Sequence, residues 1–131
     1  MPEPDQIRAV VDKYVACFSA GERVGWIALW ADDATMEDPV GTPLKHGTDE
    51  IGAFFDQSMS MADSLRLVLT GPVCIAAGEV AFGMQARPTM GGTELSVDIV
   101  DVMQFSAGPD GTPRIQTMRA FWDPATMQPA G

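Results

Sequence analysis

The clearest strand pattern in the sequence is Leu95-Ser96-Val97-Asp98-Ile99-Val100-Asp101-Val102-Met103-Gln104-Phe105. Apolar and β-branched residues dominate it, which is typical of a β-strand, and the side chains of a strand alternate between its two faces. The odd-numbered residues share one face and are apolar with one exception, whereas the even-numbered face is mixed. The exception is Asp101, so the pattern predicts a carboxyl group on an otherwise apolar surface.

Helical patterns precede this strand, and further strand patterns flank it. Apolar residues at helical spacing predict one helix that starts at Pro4 and stops near Gly21, and a shorter one that runs to Trp30 and is ended by Asp32-Asp33. Thr48 is predicted to cap a third helix. Five strand-like stretches follow, at 65–70, 73–76, 80–87, 94–105 and 114–122, and the tail at 124–131 is predicted to be loose.

The order of these elements indicates the fold class. Helices come first and strands follow, which favours an α+β fold with the helices on one face of a curved antiparallel sheet. The chain has 131 residues, a length typical of one domain, so residues 1–131 are expected to form a single unit.

Composition excludes several classes of function. With 8 basic and 18 acidic side chains the formal net charge is −10, which repels phosphate backbones and anionic lipids, so neither nucleic acid nor a membrane is an expected partner. The start of the chain lacks the pattern of a signal peptide, and a cytoplasmic location is expected. One histidine, His46, and two cysteines make a metal site unexpected.

Asp101 is the first candidate functional residue. An ionised carboxylate on an apolar face is costly, so the group either finds a charged partner or stays protonated with a raised pKa. A neutral acid on an apolar wall can donate a hydrogen bond to a developing oxyanion. Two structural explanations compete with this one: a β-bulge that turns Asp101 outward, or an ion pair with Arg119.

Three further residues extend the candidate site. Tyr14, the only tyrosine, lies on the inward stripe of the first helix, as a core tyrosine or as a hydrogen-bond donor. Asp38 sits where a short extended stretch meets a loop, from which it could enter a cavity as a base or remain solvated. Trp122 could donate its indole N–H to a carboxylate or cap the core.

Nine methionines suggest either an adaptable core or a concavity for a flat apolar ligand. Met84, Met103 and Met118 fall on predicted strands, and methionine conforms to irregular hydrophobic shapes.

Several of these segments together resemble the bacterial ketosteroid isomerases, which belong to the cone-shaped α+β group that includes nuclear transport factor 2. The resemblance covers nearly the whole chain. Its most specific part is Asp38-Pro39 together with Tyr14 and Asp101. The remaining matches are the helix around Tyr14 and the segments 31–35, 37–39, 69–73, 97–103 and 114–118.

The resemblance implies a shift of a carbon–carbon double bond from the Δ5 to the Δ4 position of a 3-oxosteroid, without a cofactor or metal. It implies that Asp38 moves a proton from C4 to C6, while Tyr14 and a protonated Asp101 donate hydrogen bonds to the 3-oxygen, a pairing known from the ketosteroid isomerases themselves. It also implies a homodimer and a steroid pocket lined by Phe54, Leu65, Phe82, Met84, Ala86, Val97, Ile99, Met103, Met118, Ala120 and Trp122.

One departure from the family pattern leaves other functions open. Trp30 and Phe55 occupy positions where family members often carry tyrosines that support the oxyanion tyrosine. The alternatives are a non-catalytic binder of steroids or similar flat apolar molecules, and another enzyme of the same fold, such as a polyketide cyclase or an epoxide hydrolase. Fold resemblance alone does not choose among them.

Overall fold

Three helices precede a long-stranded sheet in the computed structural model, which describes residues 2–131. The helices are α1 (Pro4–Ser19), α2 (Arg23–Ile27) and α3 (Gly47–Ser60). The strands are β1 (Trp30–Glu37), β2 (Lys45–His46), β3 (Ser64–Ala76), β4 (Glu79–Met90), β5 (Thr93–Ala107), β6 (Pro113–Phe121) and β7 (Gln128–Pro129), with a 3-10 helix at Pro124–Thr126.

The sheet has the strand order β2-β1-β6-β5-β4-β3, and β7 pairs separately with the start of β5. Every pairing is antiparallel except that of β1 with β6. Helix α1 packs on β3 and α3 packs on β1. The expected α+β fold, with three helices on a curved and mainly antiparallel sheet, is therefore confirmed. In the described part of the chain, no helix is both long enough and apolar enough to span a bilayer.

Strand β5 has the alternation that its sequence predicts. Val97, Ile99, Asp101 and Met103 are all buried, whereas residues 98, 100 and 104 are exposed. Ser96 is the exception on the outer face, because β7 pairs with it there and leaves it 8% exposed.

The second helix is shorter than its sequence pattern indicates. Helix α2 ends at Ile27 and Trp30 begins β1, so the prediction that Asp32 and Asp33 terminate a helix is wrong. The pairing of β1 with β6 shifts register between Trp30 and Thr35. This irregularity leaves two consecutive aspartates exposed and masks the two-residue period that identifies a strand.

The start of α3 also differs from the prediction. The helix begins at Gly47 with His46 in the cap position, so the prediction that Thr48 caps it is wrong. The Glu50 carboxylate accepts a hydrogen bond from the His46 backbone N–H at 2.7 Å. A side chain one turn into the helix therefore satisfies the group at its start.

The stretches predicted at 65–70 and 73–76 form the single strand β3. Its register with β4 shifts between Leu69 and Val73, around Gly71 and Pro72. An irregularity of this kind accommodates glycine and proline without ending the strand.

The C-terminal tail is ordered, which corrects the prediction of a loose end. Asp123 caps the 3-10 helix by accepting a hydrogen bond from the Ala125 N–H at 2.9 Å. Strand β7 then pairs with β5 at Leu95 and Ser96, just before the part of β5 that β6 covers. The tail thus pairs with the edge of β5 that β6 leaves free, although its sequence has no strand pattern that indicates this pairing.

Candidate active site

Asp101 lies in the middle of β5 on its buried face, between Phe82 of β4 and Ala120 of β6. It is 0% exposed, and among the described residues neither carboxyl oxygen has a hydrogen-bond partner. Burial, and secondarily the charge of Asp38, raises the pKa of Asp101 well above its usual value. Both causes favour the neutral carboxylic acid, the form that has an O–H to donate.

Neither structural alternative for Asp101 is realised. The side chain is fully buried, so no bulge turns it outward. Arg119 lies on the opposite face and donates from Nε to Glu37 at 2.8 Å. Asp101 thus remains inside the protein without a cation beside it.

Tyr14 lies on the buried stripe of α1 and reaches the wall of a cavity. Burial raises its pKa well above the usual value, and Asp101 and Asp38 raise it further in their ionised forms. The phenol therefore keeps its proton and is a hydrogen-bond donor. Because each acid influences Tyr14, the three groups lie within electrostatic range of one another.

Asp38 follows β1 directly and is half-buried on the wall of the same cavity. Its peptide bond to Pro39 is cis. Trp122 donates from Nε1 to Oδ1 of Asp38 at 2.6 Å, so the indole contacts the carboxylate as one of the two alternatives predicted. Burial raises the pKa of Asp38, while the Trp122 hydrogen bond and the charge of Lys45 oppose this rise. A carboxyl group of this kind can accept a proton and release it again.

The cavity has a volume of about 350 Å³, within the range of small-molecule sites. Tyr14 and Asp38 both line it, and most of the remaining wall is apolar. Seven of the predicted pocket residues are on this wall: Phe54, Leu65, Met84, Ala86, Val97, Ile99 and Trp122.

The other four predicted pocket residues, and Asp101, lie in the core without contributing to the cavity wall. Phe82, Met103, Met118 and Ala120 are each at most 2% exposed. They share the inward face of the sheet with the wall residues. The sequence pattern identifies the face of a strand and leaves open where along it the cavity ends.

Comparison with known proteins places the chain in a family. Residues 11–111 match the SnoaL-like domain. The chain belongs to the SnoaL-like family. It is similar to a protein named Steroid Delta-isomerase from Nocardioides simplex, with 35% identity over 122 residues that cover 93% of this chain and 94% of the relative. The resemblance to ketosteroid isomerases found in the sequence is thereby confirmed.

The surroundings of Tyr14 in this SnoaL-like protein are aromatic. Its ring centroid lies 5.6 Å from Trp26 and 6.3 Å from Trp30. Phe55 completes the cluster through contact with Trp26. As the sequence indicates, Trp30 and Phe55 contribute aromatic rings without hydroxyl groups beside Tyr14, and within residues 2–131 no side chain hydrogen-bonds the Tyr14 hydroxyl.

The SnoaL-like fold also brings to the cavity residues that sequence analysis missed. Lys45 of β2, Met61 after α3, Met90 at the end of β4 and Met127 of the tail all line it. Each lies at the end of an element, where orientation depends on tertiary packing. The abundance of methionine was the one feature of the sequence that suggested a cavity lined by methionines, and it indicated those on the predicted strands and not those at the ends of elements.

Proposed function

We propose that this SnoaL-like protein is a steroid Δ5 to Δ4 isomerase that works without a cofactor. The observation that carries the proposal is the combination of two acids with different environments: Asp101 is fully buried and neither of its oxygens has a hydrogen-bond partner in the described residues, whereas Asp38 is on the cavity wall and hydrogen-bonded by Trp122. Proton transfer next to a carbonyl needs one group that accepts a proton and another that donates a hydrogen bond. The similarity to a steroid isomerase supplies the substrate class.

In the proposed reaction, the Asp38 carboxylate removes a proton from C4 of a 3-oxo-Δ5-steroid. The electrons of the broken C–H bond form a dienolate whose charge rests on the 3-oxygen, and Tyr14 and the neutral Asp101 donate hydrogen bonds to it. Asp38 then returns the same proton to C6, which places the remaining double bond at Δ4. Protons and electrons balance within the substrate and Asp38.

The position of Tyr14 supports its proposed task, because its side chain is on the cavity wall. Asp101 is fully buried and is not on that wall, so its proposed hydrogen bond to the 3-oxygen requires that substrate binding open a path to this side chain. Removing one donor from a site of this type lowers kcat by about 10²- to 10³-fold. Removing a positioned base costs about 10²- to 10⁴-fold.

The test is an absorbance assay for the conjugated enone with a Δ5-3-oxosteroid and purified protein. We expect turnover by the wild type and losses of those magnitudes in Asp38→Asn, Tyr14→Phe and Asp101→Leu. Asp32→Asn and Asp98→Asn are matched controls on exposed aspartates of β1 and β5 and should retain activity. Absence of turnover by the folded wild type would overturn the proposal.

A non-catalytic binder of flat apolar molecules is the second candidate. Two observations favour it: Asp101 is absent from the cavity wall, and the residues around Tyr14 are aromatic. A binder would bind a Δ4-3-oxosteroid, the product of the proposed reaction, tightly in a titration followed by tryptophan fluorescence. It would show no enone formation from the Δ5-3-oxosteroid. The isomerase assay and this titration together separate the two functions.

We also propose that the protein is a cytoplasmic homodimer. Val100 and Phe121 are opposite each other on the outer face of β5 and β6, and they are 45% and 43% exposed. An apolar pair of this kind supports a sheet-to-sheet contact between two copies. Cys17 and Cys74 are both free thiols, which fits a reducing compartment.

A further inference from the structure

We propose that Lys45 is a positioning residue of this site, whose ammonium group keeps the half-buried Asp38 side chain in the anionic form that accepts a proton. The inference rests on the proposed function, in which Asp38 is the base. It assigns a role to a residue that neither the sequence pattern nor the family resemblance singles out.

Strand pairing directs Lys45 toward the interior. In the antiparallel pair of β1 and β2, Lys45 is opposite Met36, and residues opposite each other place their side chains on the same face. Met36 is 0% exposed, so this face is the buried one. Asp38 comes two residues after Met36, and both Asp38 and Lys45 line the cavity.

The Lys45 side chain is held beside the cavity by an aromatic ring. Its Nζ lies 5.3 Å from the centroid of the Phe54 ring, which is itself part of the cavity wall. A cation above a ring face is stabilised by the ring quadrupole. Within residues 2–131 no carboxylate lies within ion-pair distance of Lys45. Its positive charge is therefore available to the cavity.

The other groups that face Asp38 supply no positive charge. Tyr14 from α1 is a neutral phenol, Asp101 from β5 is a neutral acid, and Trp122 after β6 donates one hydrogen bond. Lys45 from β2 is the cation in this set. Its field stabilises the carboxylate against the cost of burial and adds to the larger effect of the Trp122 hydrogen bond.

The neighbouring acid Glu37 is oriented away from this group. Its carboxylate accepts hydrogen bonds from Nε of Arg119 at 2.8 Å and from the Gly41 N–H at 3.0 Å. Arg119 is thereby engaged on the outer face of the sheet. Arg119 therefore does not duplicate the charge of Lys45 in the cavity.

The test measures the Asp38 titration directly, by NMR of protein carrying 13C at the aspartate side-chain carboxyl carbon, with Asp38→Asn assigning the signal. Lys45→Met removes the charge but keeps a chain of similar length on Phe54, and Lys45→Arg keeps the charge. We expect the Asp38 pKa to rise in Lys45→Met and to return toward the wild-type value in Lys45→Arg. Lys13→Met is the matched control, because Lys13 is exposed on α1 and is the only other lysine.

The kinetic consequence is a displaced pH profile. Below the pKa of the base, kcat/KM of Lys45→Met, taken relative to its own plateau at higher pH, should be roughly twofold to tenfold lower than the same ratio in the wild type. An unaltered Asp38 titration in folded Lys45→Met, or an equal rise in Lys13→Met, overturns the role of Lys45. If the wild type lacks isomerase activity, the proposed function fails, and the NMR titration still decides whether Lys45 acts on Asp38.

Discussion

Asp101 shows how one residue can be unfavourable for folding and useful for chemistry. Its two oxygens are buried without a partner, so an ionised form would carry a large desolvation cost. The native protein avoids that cost by retaining the proton, which leaves an O–H group in an apolar environment. The same residue therefore makes the stability of the protein depend on pH.

The sign of this dependence follows from the raised pKa. In the unfolded chain an aspartate loses its proton near pH 3.9, whereas native Asp101 retains it to a higher pH. Between these two pKa values the native state binds one more proton than the unfolded state. Asp101 therefore lowers the free energy of unfolding by about 1.4 kcal/mol for each unit by which the pH rises. Its contribution is fully present at low pH and is lost as the pH rises through the native pKa.

Asp101→Asn removes this titration and keeps the size of the side chain. The free energy of unfolding of Asp101→Asn minus that of the wild type should increase with pH above about pH 4. Urea unfolding at a series of pH values measures this difference. Asp98→Asn, on the exposed face of the same strand, is the control and should show no such trend. A difference that stays constant from pH 4.5 to 7.5 would mean that Asp101 is ionised in the native state.

At the scale of elements, Ser19 hydrogen-bonds the C-terminal end of α1 to strand β3. The Ser19 hydroxyl accepts a hydrogen bond from the Leu67 N–H at 2.9 Å and donates to the Leu67 carbonyl at 3.3 Å. Leu67 belongs to the edge strand β3 and to the cavity wall. This contact therefore fixes the end of the helix that carries Tyr14 against the wall of the site.

Ser19→Ala should lower the free energy of unfolding by about 1 to 3 kcal/mol, because both backbone groups of Leu67 lose their side-chain partner. Ser60→Ala is the matched control, since Ser60 makes one exposed bond to the Gln57 carbonyl within its own helix. Its effect should stay within about 0.5 kcal/mol. Chemical unfolding of both variants gives the comparison, and equal losses would show that the contact with β3 adds nothing.

The regularity of each element determined what the sequence could and could not predict. The alternation in β5 was sufficient to place Asp101 inside, because each side chain of a regular strand has a defined face. Where a strand is irregular, the two-residue alternation is lost. Because the register of β1 shifts between Trp30 and Thr35, Asp32 and Asp33 were wrongly interpreted as the end of a helix. Lys45 was missed for a different reason, since two residues of β2 carry no period and their direction comes only from pairing with β1.

At the scale of the whole molecule, net charge opposes the association of two copies. Each chain carries a formal net charge of −10, so two copies repel each other when they associate. The exposed pair of Val100 and Phe121 favours association, and Arg119 lies over the Phe121 ring at 5.2 Å on the same face. The proposed dimer is therefore a balance between apolar burial and electrostatic repulsion.

This balance predicts that salt strengthens the dimer. Raising the ionic strength from 10 to 150 mM shortens the Debye length from about 30 Å to about 8 Å, which screens the repulsion and leaves the apolar contact intact. Sedimentation equilibrium should show a lower dissociation constant at the higher salt. Val100→Glu should raise the dissociation constant by roughly tenfold or more, because it buries an unpaired charge at the contact. Val24→Glu adds the same charge at a position that is 86% exposed on α2, and it should change association far less. A wild type that remains monomeric at both salt concentrations, or equal effects of the two glutamates, would exclude this face of the sheet as the interface.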